Sequence, residues 1–184
     1  MFVEPAPNSN QQAGAARLLI VEPNRNALGV LANRLGELGY RVIACENAGI
    51  ATAELLRAPV DLVLAELRMS PVSGIELARR IRDDTVLKDT PIILITGRSD
   101  SSGAVDGFSA GADDVVAKPF HFEVLAARIA RRIARARSVK ELRADNATLD
   151  ARVVSRAIEL GEIRAALQES EVERVRLQQL VSRA

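Results

Sequence analysis

The chain is poor in the residues from which many catalytic sites are built. It has one cysteine, one histidine, no tryptophan and only 3% aromatic residues in 184. The lone Cys45 cannot close an internal disulfide, and its apolar, strand-like setting marks it as a buried core thiol. One histidine and one cysteine cannot supply a zinc cluster or a Cys-His nucleophile system. His121, beside Pro119 and Phe120 at a helix start, is expected on the surface. Charge of neither sign dominates, with 25 Lys and Arg against 24 Asp and Glu, so net charge indicates neither a nucleic-acid binder nor an acidic scaffold. No apolar run reaches membrane-spanning length, and no basic segment precedes an apolar one near the start. A cytoplasmic protein with no membrane contact is expected.

What the chain does have is a series of short, fully apolar runs. The stretch Val60 to Met69 carries the most information: its apolar run Leu62 to Ala65 ends in Glu66, and a Ser70-Pro71 turn and Gly74 follow. Runs of this length read as strands buried on both faces, which points to a parallel sheet covered by helices. The same reading makes strands of Arg17 to Glu22, Arg41 to Cys45, Pro91 to Thr96 and Val115 to Ala117. Between them lie helical patterns. Leu28, Leu31, Leu35 and Leu38 recur at helical spacing before Gly39. Ile50 to Arg57, Gly74 to Arg82 and a weak Ser102 to Ala110 segment complete the alternation. The expectation is an α/β doubly wound domain over residues 17–137, preceded by a disordered lead-in over 1–16.

From Glu123 onward Gly161 is the only glycine or proline. With Val139 as an a position, the seam reads Val139, Leu142, Asn146, Leu149, Val153, Leu160, Ile163, Leu167, Leu177 and Val181. Arg156, Ser170 and Arg174 interrupt it. A heptad repeat sustained over more than four turns of the pattern predicts a coiled-coil helix over 138–184, about 65–70 Å long, and Asn146 at an a position favours a parallel pair.

In open parallel sheets, working residues lie beyond the carboxyl ends of the strands. That rule brings together Glu22, Glu66, Thr96 and Lys118. Two acids, a hydroxyl and an ammonium are what a phosphoryl group and a magnesium ion require. The segments Leu18 to Glu22, Asp61 to Gly74, Pro91 to Thr96 and Ala110 to Phe120 resemble the receiver domain of bacterial response regulators, which has a flavodoxin-like five-stranded sheet. The resemblance implies a phosphoacceptor at the end of the third strand, fed by a histidine kinase. It also implies a dimer face, here holding Asp113, Asp114 and Arg128.

The chain departs from that pattern where the chemistry is decided. Glu66 stands where the family has aspartate, Glu22-Pro23 replaces an acidic pair, and Val115 replaces an aromatic switch. Magnesium demands near-ideal octahedral oxygen geometry, and an extra methylene moves a carboxylate by about an ångström, enough to cost on the order of 10²-fold in an in-line reaction. A glutamate is also long enough to reach Lys118. The expectation is a non-enzymatic, phosphorylation-independent receiver with weak or absent magnesium binding. It would act as a homodimer through the coiled coil, and through the receiver face, presenting surfaces to another signalling protein. Two alternatives stand beside it: a phosphorylation-driven switch, and the regulatory half of a longer protein with an output enzyme such as a cyclic-dinucleotide enzyme. Arg128, Arg131, Arg132 and Arg135 form a basic stripe, read as a solvated face more readily than as a nucleotide or nucleic-acid site.

Overall fold

The computed structural model describes residues 15–98 and 100–181, without the side chains of 171–173 and 175–181. Most of the 1–16 lead-in, together with the seam side chains of Leu177 and Val181, therefore lies outside the described residues. Five strands and five helices alternate: β1 (Arg17–Val21), α1 (Arg25–Glu37), β2 (Arg41–Cys45), α2 (Ala48–Arg57), β3 (Leu62–Glu66), α3 (Gly74–Asp83), β4 (Ile92–Thr96), α4 (Ser101–Ser109), β5 (Asp114–Ala117) and α5 (Phe122–Val181). All pairings are parallel, in the order β2-β1-β3-β4-β5. This is the flavodoxin-like doubly wound sheet expected from the apolar runs.

Alternate residues of each strand serve opposite faces. Leu18, Ile20, Leu62, Leu64, Ile93 and Ile95 pack with Leu28, Leu31 and Leu35 of α1 and with Leu125, Ile129 and Ile133 of α5. On the other face Leu19, Val21, Val63, Ala65 and Leu94 meet Ala51 and Leu55 of α2 and Leu77, Ala78 and Ile81 of α3. The strands β1, β3 and β4 are thereby covered twice, which is why their sequences read as continuous apolar runs and not as alternating ones, while the edge strand β2 is only partly buried.

Several boundaries differ from the sequence reading. α1 ends at Glu37, so Leu38 becomes its C-cap and stays 55% exposed instead of joining the buried stripe. α2 starts two residues earlier than expected because Asn47 caps it, accepting the Ile50 amide at 3.0 Å. β5 starts one residue earlier, at Asp114. Gly74 sits where a Cβ would lie 2.3 Å from the Glu66 carbonyl oxygen, so only glycine lets α3 begin this close to the end of β3.

The chain divides into two compact units, Met1–Arg137 and Ser138–Ala184. In the second, the chain is helical, and the seam side chains Leu142, Leu149, Val153, Leu160, Ile163 and Leu167 are each more than half exposed, with Val139 at 40%. No helix among the described residues is long and apolar enough to cross a membrane.

Candidate functional site at the carboxyl edge of the sheet

Glu22 lies just past β1, Glu66 closes β3, Thr96 closes β4 and Lys118 lies just past β5. Register aligns these ends, pairing Glu66 with Ile95 and Thr96 with Ala117. The Lys118 ammonium donates to Glu66 Oε2 at 2.6 Å and to Glu22 Oε2 at 2.8 Å. The second oxygen of Glu22 accepts the Asn24 amide at 3.0 Å. Glu22 is 4% exposed.

Two carboxylates thus share one ammonium. Burial pushes the Glu66 carboxyl up; the hydrogen bond and charge of Lys118 pull it back, the Glu22 carboxylate adds to the rise, and the outcome is upward. For Lys118, burial works against the charged form, but the bonds and charges of Glu22 and Glu66 outweigh it and its pKa also rises. The causes differ: burial is the main reason Glu66 holds its proton more tightly, whereas Lys118 does so because of its two carboxylate partners.

Thr96 does not join this cluster. Its hydroxyl, on a residue only 2% exposed, donates instead to Asp100 Oδ2 at 3.2 Å. Asp100 is the N-cap of α4 and accepts the Gly103 amide at 3.0 Å. Arg68, two residues past β3, grips it with a fork, Nε to Oδ2 at 2.6 Å and Nη2 to Oδ1 at 2.9 Å. That hydrogen-bonded guanidinium, helped by the Gly103 amide, holds the Asp100 carboxyl well below the usual range. Sequence reasoning passed over both residues. Asp100 before Ser-Ser-Gly carries an N-cap signal that was there to be read, whereas nothing in the sequence announces a contact with Arg68, 32 residues away.

The acids expected on the dimer face are engaged within the chain. Asp114, 7% exposed, accepts Arg128 at 2.9 and 3.0 Å, with Arg132 at 3.4 Å. Half of the basic stripe on α5 is therefore paired with an acid of the same chain, although Arg128 keeps 47% of its side chain exposed. Asp113 accepts the Ile92 amide at 2.8 Å and Arg82 at 2.9 Å. His121 is exposed, as expected.

The response regulator receiver domain family matches residues 18–130. The phosphate regulon transcriptional regulatory protein PhoB of Pseudomonas aeruginosa is 35% identical over 112 residues, 61% of this chain and 49% of PhoB. The transcriptional regulatory protein ResD of Bacillus subtilis is 32% identical over 144 residues, 78% of this chain and 59% of ResD. The chain spans about half the length of the curated relatives it matches. Among solved structures, the receiver domain of a signal transduction histidine kinase from Syntrophus aciditrophicus superposes with a TM-score of 0.62 at 31% identity, covering 65% of this chain and 91% of that one. The receiver domain of the sensor histidine kinase PA1611 of Pseudomonas aeruginosa, solved with magnesium in its active-site cleft, gives 0.61 at 28%, covering 65% and 98%.

The donor set here does not fit such an ion. Both available carboxylates are bonded to the Lys118 ammonium, Pro23 offers no side-chain oxygen, and no group of three or more His, Cys, Asp or Glu side chains is arranged for a metal among the described residues.

Proposed function

This chain belongs to the response regulator receiver domain family, and from that premise we propose that it is a receiver that takes no phosphoryl group and works as a dimeric protein-interaction module. The observation that carries the reading is the Lys118 ammonium held between Glu66 and Glu22 at 2.6 and 2.8 Å, with proline where a second acid would complete a cation site. In this reading Glu66 itself occupies the lysine that a phosphorylated aspartate would engage. The domain is fixed in one state and performs no reaction of its own. The exposed apolar seam of the second unit, from Val139 through Leu167, supports self-association, since a stripe of this length is stable in water only when covered. Its occupant is a second copy, paired in parallel through Asn146, and the receiver surfaces are offered to another signalling protein in the cytoplasm. A signalling protein is favoured over nucleic acid, because two of the four arginines of the α5 stripe pair with Asp114.

A second reading, a phosphorylation-driven switch within a longer regulator, is favoured by Thr96 and Lys118 standing in the family's places and by the names of the relatives. Intact mass and light scattering, with magnesium and a small-molecule phosphoryl donor, separate the two. The proposal predicts no adduct and an unchanged dimer, and a monomer when Leu149 and Leu160 are both changed to Ser. An adduct on Glu66, or a donor-dependent change in association, would overturn it.

A further inference from the structure

The Asp100 carboxylate collects five donors: both nitrogens of the Arg68 fork, the Thr96 and Ser102 hydroxyls, and the Gly103 amide in the first turn of α4. A guanidinium, two hydroxyls and a helix N-terminal amide are the donor set an external anion would seek at this edge of the sheet. The chain fills it with its own acid. A Cβ on residue 103 would lie 2.4 Å from Asp100 Oδ2, so glycine at that position is what lets the carboxylate reach the amide.

We propose that Asp100 is a built-in anion that latches the loop after β3 to the start of α4, keeping the Thr96 hydroxyl and the first turn of α4 in one arrangement whatever the state of Glu66. The latch deepens the reading of a receiver held in one state and rests on it. Two of the sheet's loops are joined by a single carboxylate: Arg68 arrives from the end of β3, Thr96 from the end of β4, and Asp100 itself starts α4. A hydroxyl donated to Asp100 is not donated to anything at Glu66 or Lys118. The fork supplies geometry as well as charge, so a lysine in place of Arg68 would keep the attraction and lose the second bond. Arg68 is 67% exposed, and solvent screening tempers the strength of the pair.

The test is amide hydrogen exchange in the full chain, read by NMR with and without magnesium and beryllofluoride, for the unaltered protein, Arg68→Ala, Arg68→Lys and Asp100→Asn. Asparagine preserves the cap and removes the charge, so it separates the latch from simple capping. Exchange at Gly103 and Ala104 should rise about three- to tenfold in Arg68→Ala. Arg68→Lys and Asp100→Asn should rise by less, and α1 amides should keep their unaltered rates. In the unaltered chain the α4 resonances should stay in place on adding beryllofluoride. Unchanged α4 exchange in both Arg68→Ala and Asp100→Asn would overturn the latch. Beryllofluoride-induced movement at Glu66, with α4 still loosened by Arg68→Ala, would overturn the locked-receiver reading and leave the latch standing.

Discussion

At the amino edge of the sheet, Asp61 accepts the Arg17 amide at 2.8 Å and the Arg137 guanidinium at 3.1 Å, and Asp113 accepts the Ile92 amide at 2.8 Å and Arg82 at 2.9 Å. Each of these acids has a backbone donor and a cation to itself. At the carboxyl edge, Glu22 and Glu66 divide the one Lys118 ammonium between them. The amino edge is built the way a structural edge is, with charge balanced locally. The carboxyl edge keeps an excess of negative charge that stability alone does not call for, and such imbalances gather where a site has, or had, a task. Here the excess is small, because residue 23 is a proline and adds no third acid.

Breaking the amino edge should have the largest effect. The Arg82 guanidinium bonds the carbonyls of Gly111, Lys88 and Thr90 as well as Asp113, tying the end of α3 to the entries of β4 and β5. Arg82→Ala should cost about 2–3 kcal/mol, measured by chemical denaturation, through loss of several charge-assisted bonds and exposure of their acceptors to imperfect solvation. The comparison weakens if the loss is no greater than that of an ordinary surface arginine.

At the carboxyl edge the expected effect is smaller and depends on pH. The folded-state pKa of Glu66 is raised above its ordinary value of 4.5 by burial and by Glu22, against the pull of Lys118. The native state then binds more protons than the unfolded chain, so this group's contribution is fully present below the ordinary value and is lost as pH rises through the folded one. Glu66→Gln, which fixes the neutral form, should gain stability relative to the unaltered protein between pH 4 and pH 7. Lys118 contributes nothing to this window, because its own raised value lies above 10.5. Denaturation midpoints at the two pH values decide it, and a gap that shrinks toward pH 7 would contradict the upward shift of Glu66.

The strands β1, β3 and β4 were legible because each is buried on both faces, and an apolar run such as Ile92 to Ile95 admits few other readings. Glu22, Glu66, Thr96 and Lys118 were legible as strand-end residues for the same reason. What the four do to one another was less so. The reach of Glu66 to Lys118 follows from side-chain length, but the turn of Thr96 toward Asp100 depends on Arg68, a partner distant in sequence. Asp114 was read as a loop or dimer-face acid, while the structure buries it under Arg128 and Arg132; a helix face two turns long looks like a solvated stripe until the strand beside it supplies an anion. The heptads after Val139 were legible as a helix, and the helix is there.

The central claim, that the carboxyl edge fails as a phosphoryl site because Pro23 stands in place of an acid and Glu66 in place of an aspartate, is tested most directly by putting acids of that length in. Intact mass is measured after exposure to magnesium and a small-molecule phosphoryl donor, for the unaltered chain and for the double variant Pro23→Asp, Glu66→Asp. The account predicts no phosphoryl adduct on the first and a magnesium-dependent adduct at position 66 on the second. An adduct on the unaltered chain, mapped to Glu66, would contradict it.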